Sequence, residues 1–162
     1  MRLTVLAATA VLLCGSGGLA EAQWNRQAIS RCRPQSATDR SSYVLHGIGV
    51  SNSSHTQSIT LVCPTVDTSV QPDSQMTEVR VYANDWSVTA GITARACRTS
   101  RDGADHVCGD AVSSGAAFTG HAVITLAPGT IWSSIDFGYL EITVPPADDN
   151  VGSILIGWLA QH

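Results

Sequence analysis

The chain contains no lysine. All nine basic residues are arginine, against thirteen Asp and Glu, and charged residues fill only 14% of its 162 positions. The usual share is about a quarter, so the surface has to be carried by Ser, Thr, Asn and Gly. Without a clustered basic face the chain is not read as a partner of nucleic acid or anionic lipid, since both are gripped by concentrated Arg or Lys. Aromatic residues are scarce as well, at 6%. Catalytic signatures are missing: there is no G-x-S-x-G between a strand and a helix, and no H-E-x-x-H. After the first residues no apolar run approaches the roughly 20 residues that cross a bilayer, so no integral membrane segment is expected in the body of the chain.

What is present begins with an export pattern. In MRLTVLAATAVLLCGSGGLAEAQWN, Arg2 precedes an apolar stretch from Leu3 to Leu13, and Ala20-Glu21-Ala22 has the small-x-small form of a cleavage site. Residues 1–22 are therefore read as a signal peptide and residues 23–162 as a single secreted or periplasmic domain. Cys14 is read as discarded with the signal; the alternative, a lipid-anchored Cys14, has Leu13 where a small residue is wanted. Loss of Arg2 and Glu21 leaves eight basic residues against twelve acidic ones, still −4. A body of this size forms one core, too small for two comfortable domains.

Along that body, apolar residues recur at every second position and helical spacing is nearly absent. TEVRVYA sets Val79, Val81 and Ala83 against Glu78, Arg80 and Tyr82; SITLVC sets Ile59, Leu61 and Cys63 on one face. SSYVLHGIGV reads as one strand with Val44, His46, Ile48 and Val50 on a side. VTAGITARAC places Val88, Ala90, Ile92, Ala94 and Ala96 inward and Cys97 outward. The remaining inward sets are Ala122, Ile124, Leu126; Leu140, Ile142, Val144; and Ile154, Ile156, Trp158. Turn-rich pieces separate them, and the segment 23–40 is patternless enough to be read as an irregular lead. These features predict an all-β fold, an antiparallel β-sandwich of about seven to nine strands stapled by disulfides, with a β-barrel as the alternative.

The stretch ACRTSRDGADHVCGD, residues 96–110, asks whether two cysteines, a histidine and three aspartates make a metal site or a staple. Zinc sites favour closely spaced Cys or His pairs, whereas Cys97 and Cys108 flank a ten-residue loop with His106 alone nearby. Asp102, Asp105 and Asp110 miss the D-x-D-x-D-G register of a helical calcium loop, although calcium at 102–110 stays open. Four cysteines in an exported body are most simply two bridges. A hairpin about Asp102-Gly103 pairs Cys97 with Cys108 and leaves Cys32 to Cys63. No metal and no cofactor are assigned.

The segments CRPQSATDRSSYVLHGIGVSNSSHTQSITLVCPT, VRVYANDW, ITARAC, FGYLEITVPP and SILIGW resemble a group of small uncharacterised secreted bacterial proteins. These share a Tyr and Gly strand, an Asn-Ser turn, a strand ending Cys-Pro and a V-x-V-x-x-x-D strand. The resemblance covers most of the body and implies no activity. Where that group often carries a cysteine this chain has Ile142, which makes Cys108 the local partner of Cys97.

Binding is the favoured role. Trp86 and Trp132 fall at turn edges and Tyr82 on an outward face, so exposed rings on a rigid sandwich would make a platform for a glycan or a cell surface. Trp158 is assigned to the core. His46 is read as a hydrogen-bonded strand residue and His55 as a solvated turn residue. The alternative is a hydrolase with an unrecognised site, drawing on His121 with Asp110 or Glu141 and Ser113 or Ser114, or on an acid pair among Asp136, Glu141, Asp148 and Asp149. Asn52-Ser53-Ser54 matches a glycosylation triplet. Self-association is a further expectation, because lysine-free edge strands have few guards against pairing with a neighbour.

Overall fold

The alternation in TEVRVYA becomes a strand in which Val79, Val81 and Ala83 are fully buried while Glu78, Arg80 and Tyr82 remain partly exposed. The computed structural model describes residues 24–65, 75–116, 118–129, 131–132, 136–148 and 152–161. The signal segment, Cys14, Asp149 and His162 lie outside these residues. The described residues hold twelve strands: β1 (Trp24–Ala28), β2 (Arg33–Pro34), β3 (Tyr43–His46), β4 (Gly49–Asn52), β5 (Ile59–Pro64), β6 (Glu78–Asp85), β7 (Thr93–Thr99), β8 (His106–Cys108), β9 (Val112–Ser113), β10 (Gly120–Leu126), β11 (Phe137–Val144) and β12 (Ile154–Gln161). Seven run five residues or more, and the other five are short, with two to four residues each.

Two six-stranded antiparallel sheets result. Sheet A has the order β10-β6-β12-β4-β3, with β1 also on β12; sheet B has the order β2-β5-β11-β7-β8, with β9 also on β7. Neither closes on itself, so the fold is the expected sandwich and not the barrel. The core between them takes Val50, Val79, Val81, Ile124, Leu155 and Trp158 from sheet A and Ile59, Leu61, Leu140, Ile142 and Val144 from sheet B, with Ile92 from the residue just before β7. Each such aliphatic side chain contributes about 1.5–3 kcal/mol when fully withdrawn from water.

Both predicted bridges are present, Cys32–Cys63 and Cys97–Cys108. The first is fully buried and ties the segment between β1 and β2 to β5. The second joins directly opposed residues of β7 and β8.

Four local expectations change. The segment 23–40 is not irregular: β1 pairs with β12, the chain crosses to sheet B as β2, and a short helix α1 (Ala37–Ser42) follows. In its capping box Ser36 Oγ accepts from the Asp39 N–H at 3.0 Å and Asp39 accepts from the Ser36 N–H at 3.0 Å. SSYVLHGIGV is a hairpin turning at Gly47-Ile48, so Ile48 is exposed instead of inward. Gly49 is required there, since a Cβ would lie 2.3 Å from the Leu155 carbonyl oxygen. Val88 lies before the start of β7 and is exposed; the inward set begins at Ile92. In β12 a register shift between Leu155 and Gly157 makes Leu155, Trp158 and Ala160 the buried residues, leaving Ile154 and Ile156 half-exposed. That bulge falls where the outer neighbour of β12 changes from β4 to β1.

Candidate functional site

Tyr82 projects from the centre of the outer face of sheet A. Across β10 it stands opposite Val123, and across β12 opposite Gly157. Its ring stacks on the diagonal neighbour His121, with centroids 6.2 Å apart and planes 28° from parallel. His121 Nδ1 donates to Asn84 Oδ1 at 3.4 Å, which turns the imidazole toward β6. Because Gly157 has no side chain, the other flank of Tyr82 is a trough of about 390 Å³, lined by Arg26, Gln27, Tyr82, Ile156, Gly157, Trp158 and Leu159. Arg80 sits one row along, its Nε donating to Glu78 Oε1 at 2.5 Å; that hydrogen bond raises the guanidinium pKa above its ordinary value.

The next row toward the loop end runs His121, Asn84, Ile154, Ser51 and Val44 across five strands. Beyond it lies a hollow of about 410 Å³ lined in part by Val44, His46, Ser51, His55, Gly152 and Ile154. His46 Nε2 is hydrogen-bonded with Ser51 Oγ at 2.7 Å, and His55 Nδ1 donates to the Ala147 carbonyl at 3.0 Å.

Trp86 follows the end of β6 and is 44% exposed. Four strand steps separate it from Tyr82, roughly 13 Å. Its loop is held from below by Asp85, which is fully buried. One carboxylate oxygen accepts from Ser153 Oγ at 2.6 Å and from the Ser87 N–H at 3.2 Å; the other accepts from the Ile92 N–H at 3.1 Å and from Ser114 Oγ. The Trp86 N–H itself donates to Ser153 Oγ at 3.0 Å. Asp148 clamps the same loop, accepting from Ser87 Oγ at 3.0 Å and the Val88 N–H at 2.9 Å; these bonds lower its pKa below the ordinary aspartate range.

Of the three rings proposed from sequence, Tyr82 and Trp86 are on the surface and Trp132 is not. Trp132 is only 3% exposed, packs in the core cluster and spends its Nε1–H on the Cys97 carbonyl at 2.8 Å, so it has no face for a ligand. The pairing of His121 with Tyr82 was missed: period-two parity puts both side chains on the outer face, but the register between β6 and β10 decides that they meet. Asp85 was missed too, and its signal was available: it falls on the inward parity of Val79, Val81 and Ala83.

Several residues of the hydrolase constellations are held on different sheets or engaged elsewhere. His121 lies on sheet A and Glu141 on sheet B, while the Ser114 hydroxyl is given to Asp85. Glu141 and Asp136 are each paired with their own arginine, Arg95 and Arg98. Asp102 accepts from Ser100 Oγ at 2.7 Å and from the Ala104 N–H at 3.1 Å, bonds that lower its pKa, and it does not converge with Asp105 or Asp110. Asn52 is buried and no glycosylation acceptor: its Nδ2 donates to the carbonyls of Gln57, Val144 and Pro145 at 2.7, 3.3 and 3.0 Å.

Fold and face together define a disulfide-stapled, two-sheet β-sandwich with a ring pair and a trough on one sheet. No helix among the described residues is long and apolar enough to cross a membrane. No family model matches the chain, and no curated protein does. Among solved structures it is similar to the enzymatically active domain of tailspike protein 4 from bacteriophage CBA120, with 10% identity and a TM-score of 0.41 over 88% of this chain and 18% of that one. It is also similar to TmCBM61, solved in complex with β-1,4-galactotriose, with 8% identity and a TM-score of 0.35 over 88% of this chain and 84% of that one. The chain thus spans less than a fifth of the tailspike structure it resembles.

Proposed function

We propose that this chain is an exported, non-enzymatic binding module that recognises glycans on the outer face of sheet A. The observation that carries the reading is Tyr82, stacked on His121 and open on its other flank to the trough over Gly157. A ring held between two strands has little side-chain freedom to lose on contact, so its area is available at low entropic cost. Arg26, Gln27, Arg80 and Asn84 ring the platform with planar polar groups suited to hydroxyl partners. Trp86, at the loop end of the same strand, supplies a second contact for a longer chain. Export is supported by the signal pattern and by two disulfides, which persist in oxidising compartments.

The test is binding to an array of neutral and acidic oligosaccharides by wild type, Tyr82→Ala, His121→Ala and Trp86→Ala. Loss in the first two, with folding intact by circular dichroism, supports the platform. Equal capture by all four ends it.

A further inference from the structure

We propose that the Cys97–Cys108 bridge masks a tetrahedral site for a soft divalent cation of the zinc class, opened by reduction. The site is on sheet B, the opposite sheet from the ring platform, and does not depend on the glycan reading. Both cysteine sulfurs, a ring nitrogen of His106 and a carboxylate oxygen of Glu141 lie within 4.8 Å of one another. The topology explains the convergence. Cys97 and Cys108 are directly opposed across β7 and β8, and His106 stands two residues before Cys108 on the same strand. Glu141 stands two residues from Tyr139, which is opposed to Cys97 on the other side of β7.

Each ligand is already aimed. His106 Nε2 lies 3.6 Å from Cys108 Sγ, and its ring stacks on Tyr139 at 5.9 Å and 19°. Arg95 donates to Glu141 twice, at 2.9 and 2.5 Å, both times to Oε1; among the described residues Oε2 takes one longer contact, 3.4 Å from Gln35 Nε2. Charge closes as well. Two thiolates, one carboxylate and a neutral imidazole around a divalent ion carry −1, which the Arg95 guanidinium cancels. Two sulfurs and a nitrogen select zinc over calcium or magnesium, which take oxygen.

Access distinguishes this bridge from the other. His106 is exposed and Cys108 half-buried, whereas Cys32 and Cys63 are both fully buried. A thiolate of a dithiol, or a phosphine, attacks Cys108 sulfur. Two electrons from the reductant and two protons from solvent convert the bridge to two thiols. The dithiol leaves as its own disulfide, or the phosphine as its oxide with oxygen from water. Metal binding then releases both thiol protons as two metal–sulfur bonds form. The sulfurs must part to about 3.8 Å around a tetrahedral ion. The edge strand β8, three residues long, is the element that gives way.

The experiment uses the full chain, treated with a phosphine until mass mapping shows two new thiols per chain, at Cys97 and Cys108, with Cys32–Cys63 still bridged, and then titrated with Co²⁺ and displaced by Zn²⁺. Expected is one Co²⁺ per chain with thiolate charge-transfer and tetrahedral d–d bands, absent before reduction. His106→Ala and Glu141→Gln should each weaken binding by at least about tenfold, the range reached even by second-sphere changes. Three results overturn the site: no cobalt spectrum in the reduced, folded chain; affinity unchanged in both variants, which marks a bare dithiol chelate; or sheet signal lost on reduction and not restored by Zn²⁺.

Discussion

Trp132 donates its indole N–H to the carbonyl of Cys97 at 2.8 Å, joining the loop before β11 to the strand that carries one of the two disulfides. A buried ring of this size fills space that no neighbour can recover. Trp132→Ala should therefore cost about 3–5 kcal/mol. Trp132→Phe keeps much of the apolar area and removes one buried hydrogen bond, for about 0.5–1.5 kcal/mol. Urea unfolding checks both, with the midpoint shifting and the slope unchanged. A loss under 1 kcal/mol for the alanine variant would contradict the buried placement.

Asp85 gathers four donors on one fully buried carboxylate and fixes the loop between β6 and β7 to the start of β12. Asp85→Ala leaves those donors without an acceptor and should destabilise by about 2–4 kcal/mol. Because the same network anchors the Trp86 backbone, amide exchange at Trp86 and Ser87 should accelerate before global unfolding. Uniform exchange rates in the variant and wild type would refute the anchoring role.

Asp148 has a folded-state pKa below its ordinary value because it accepts from Ser87 Oγ and the Val88 and Thr89 region. A depressed carboxylate stabilises the fold above its unfolded pKa, about 3.9, and loses that contribution as pH falls through the lowered folded value. Protection of the Val88 amide should hold at pH 5 and fall in the acid range below about pH 3.9. Asp148→Asn should show low protection with no such step. A step at higher pH in wild type would assign the effect to another group.

Gly157 faces Tyr82 across β12, and a Cβ there would lie 3.1 Å from the Gln27 carbonyl oxygen. Gly157→Ala asks β1 to yield slightly, while a longer side chain also fills the trough. Gly157→Val should therefore lower oligosaccharide affinity by tenfold or so, equivalent to about 1.4 kcal/mol, with Tyr82 fluorescence still reporting a folded sheet. Unchanged affinity would remove the trough from the binding surface.

Most of the architecture was legible because burial in a sandwich is written in alternate residues, as at Val79, Val81 and Ala83 or at Leu140, Ile142 and Val144. It failed where alternation continues through a change of direction. Val44, His46, Ile48 and Val50 keep the beat across a hairpin, and only the glycines at 47 and 49 mark the turn. It failed again at Ile156, where one extra residue exchanges the two faces of β12. β1 was invisible for another reason: WNRQA lacks apolar alternation, and its pairing partner is 133 positions away, Ala28 opposite Gly157 being the nearest rung at 129. The ring platform was half legible. Tyr82 has the right parity, but its stacking on His121 depends on the register between β6 and β10, and the burial of Trp132 depends on how its loop folds over the core.

The rung between Trp24 and Gln161 makes the first and last described strands immediate antiparallel neighbours at one corner of the molecule. Traction applied through these two positions would open the ladder one bond at a time, like a zipper, instead of loading all its bonds in shear. A chain tethered by both ends would thus yield first at β1, at low force, while the two bridged layers stay intact.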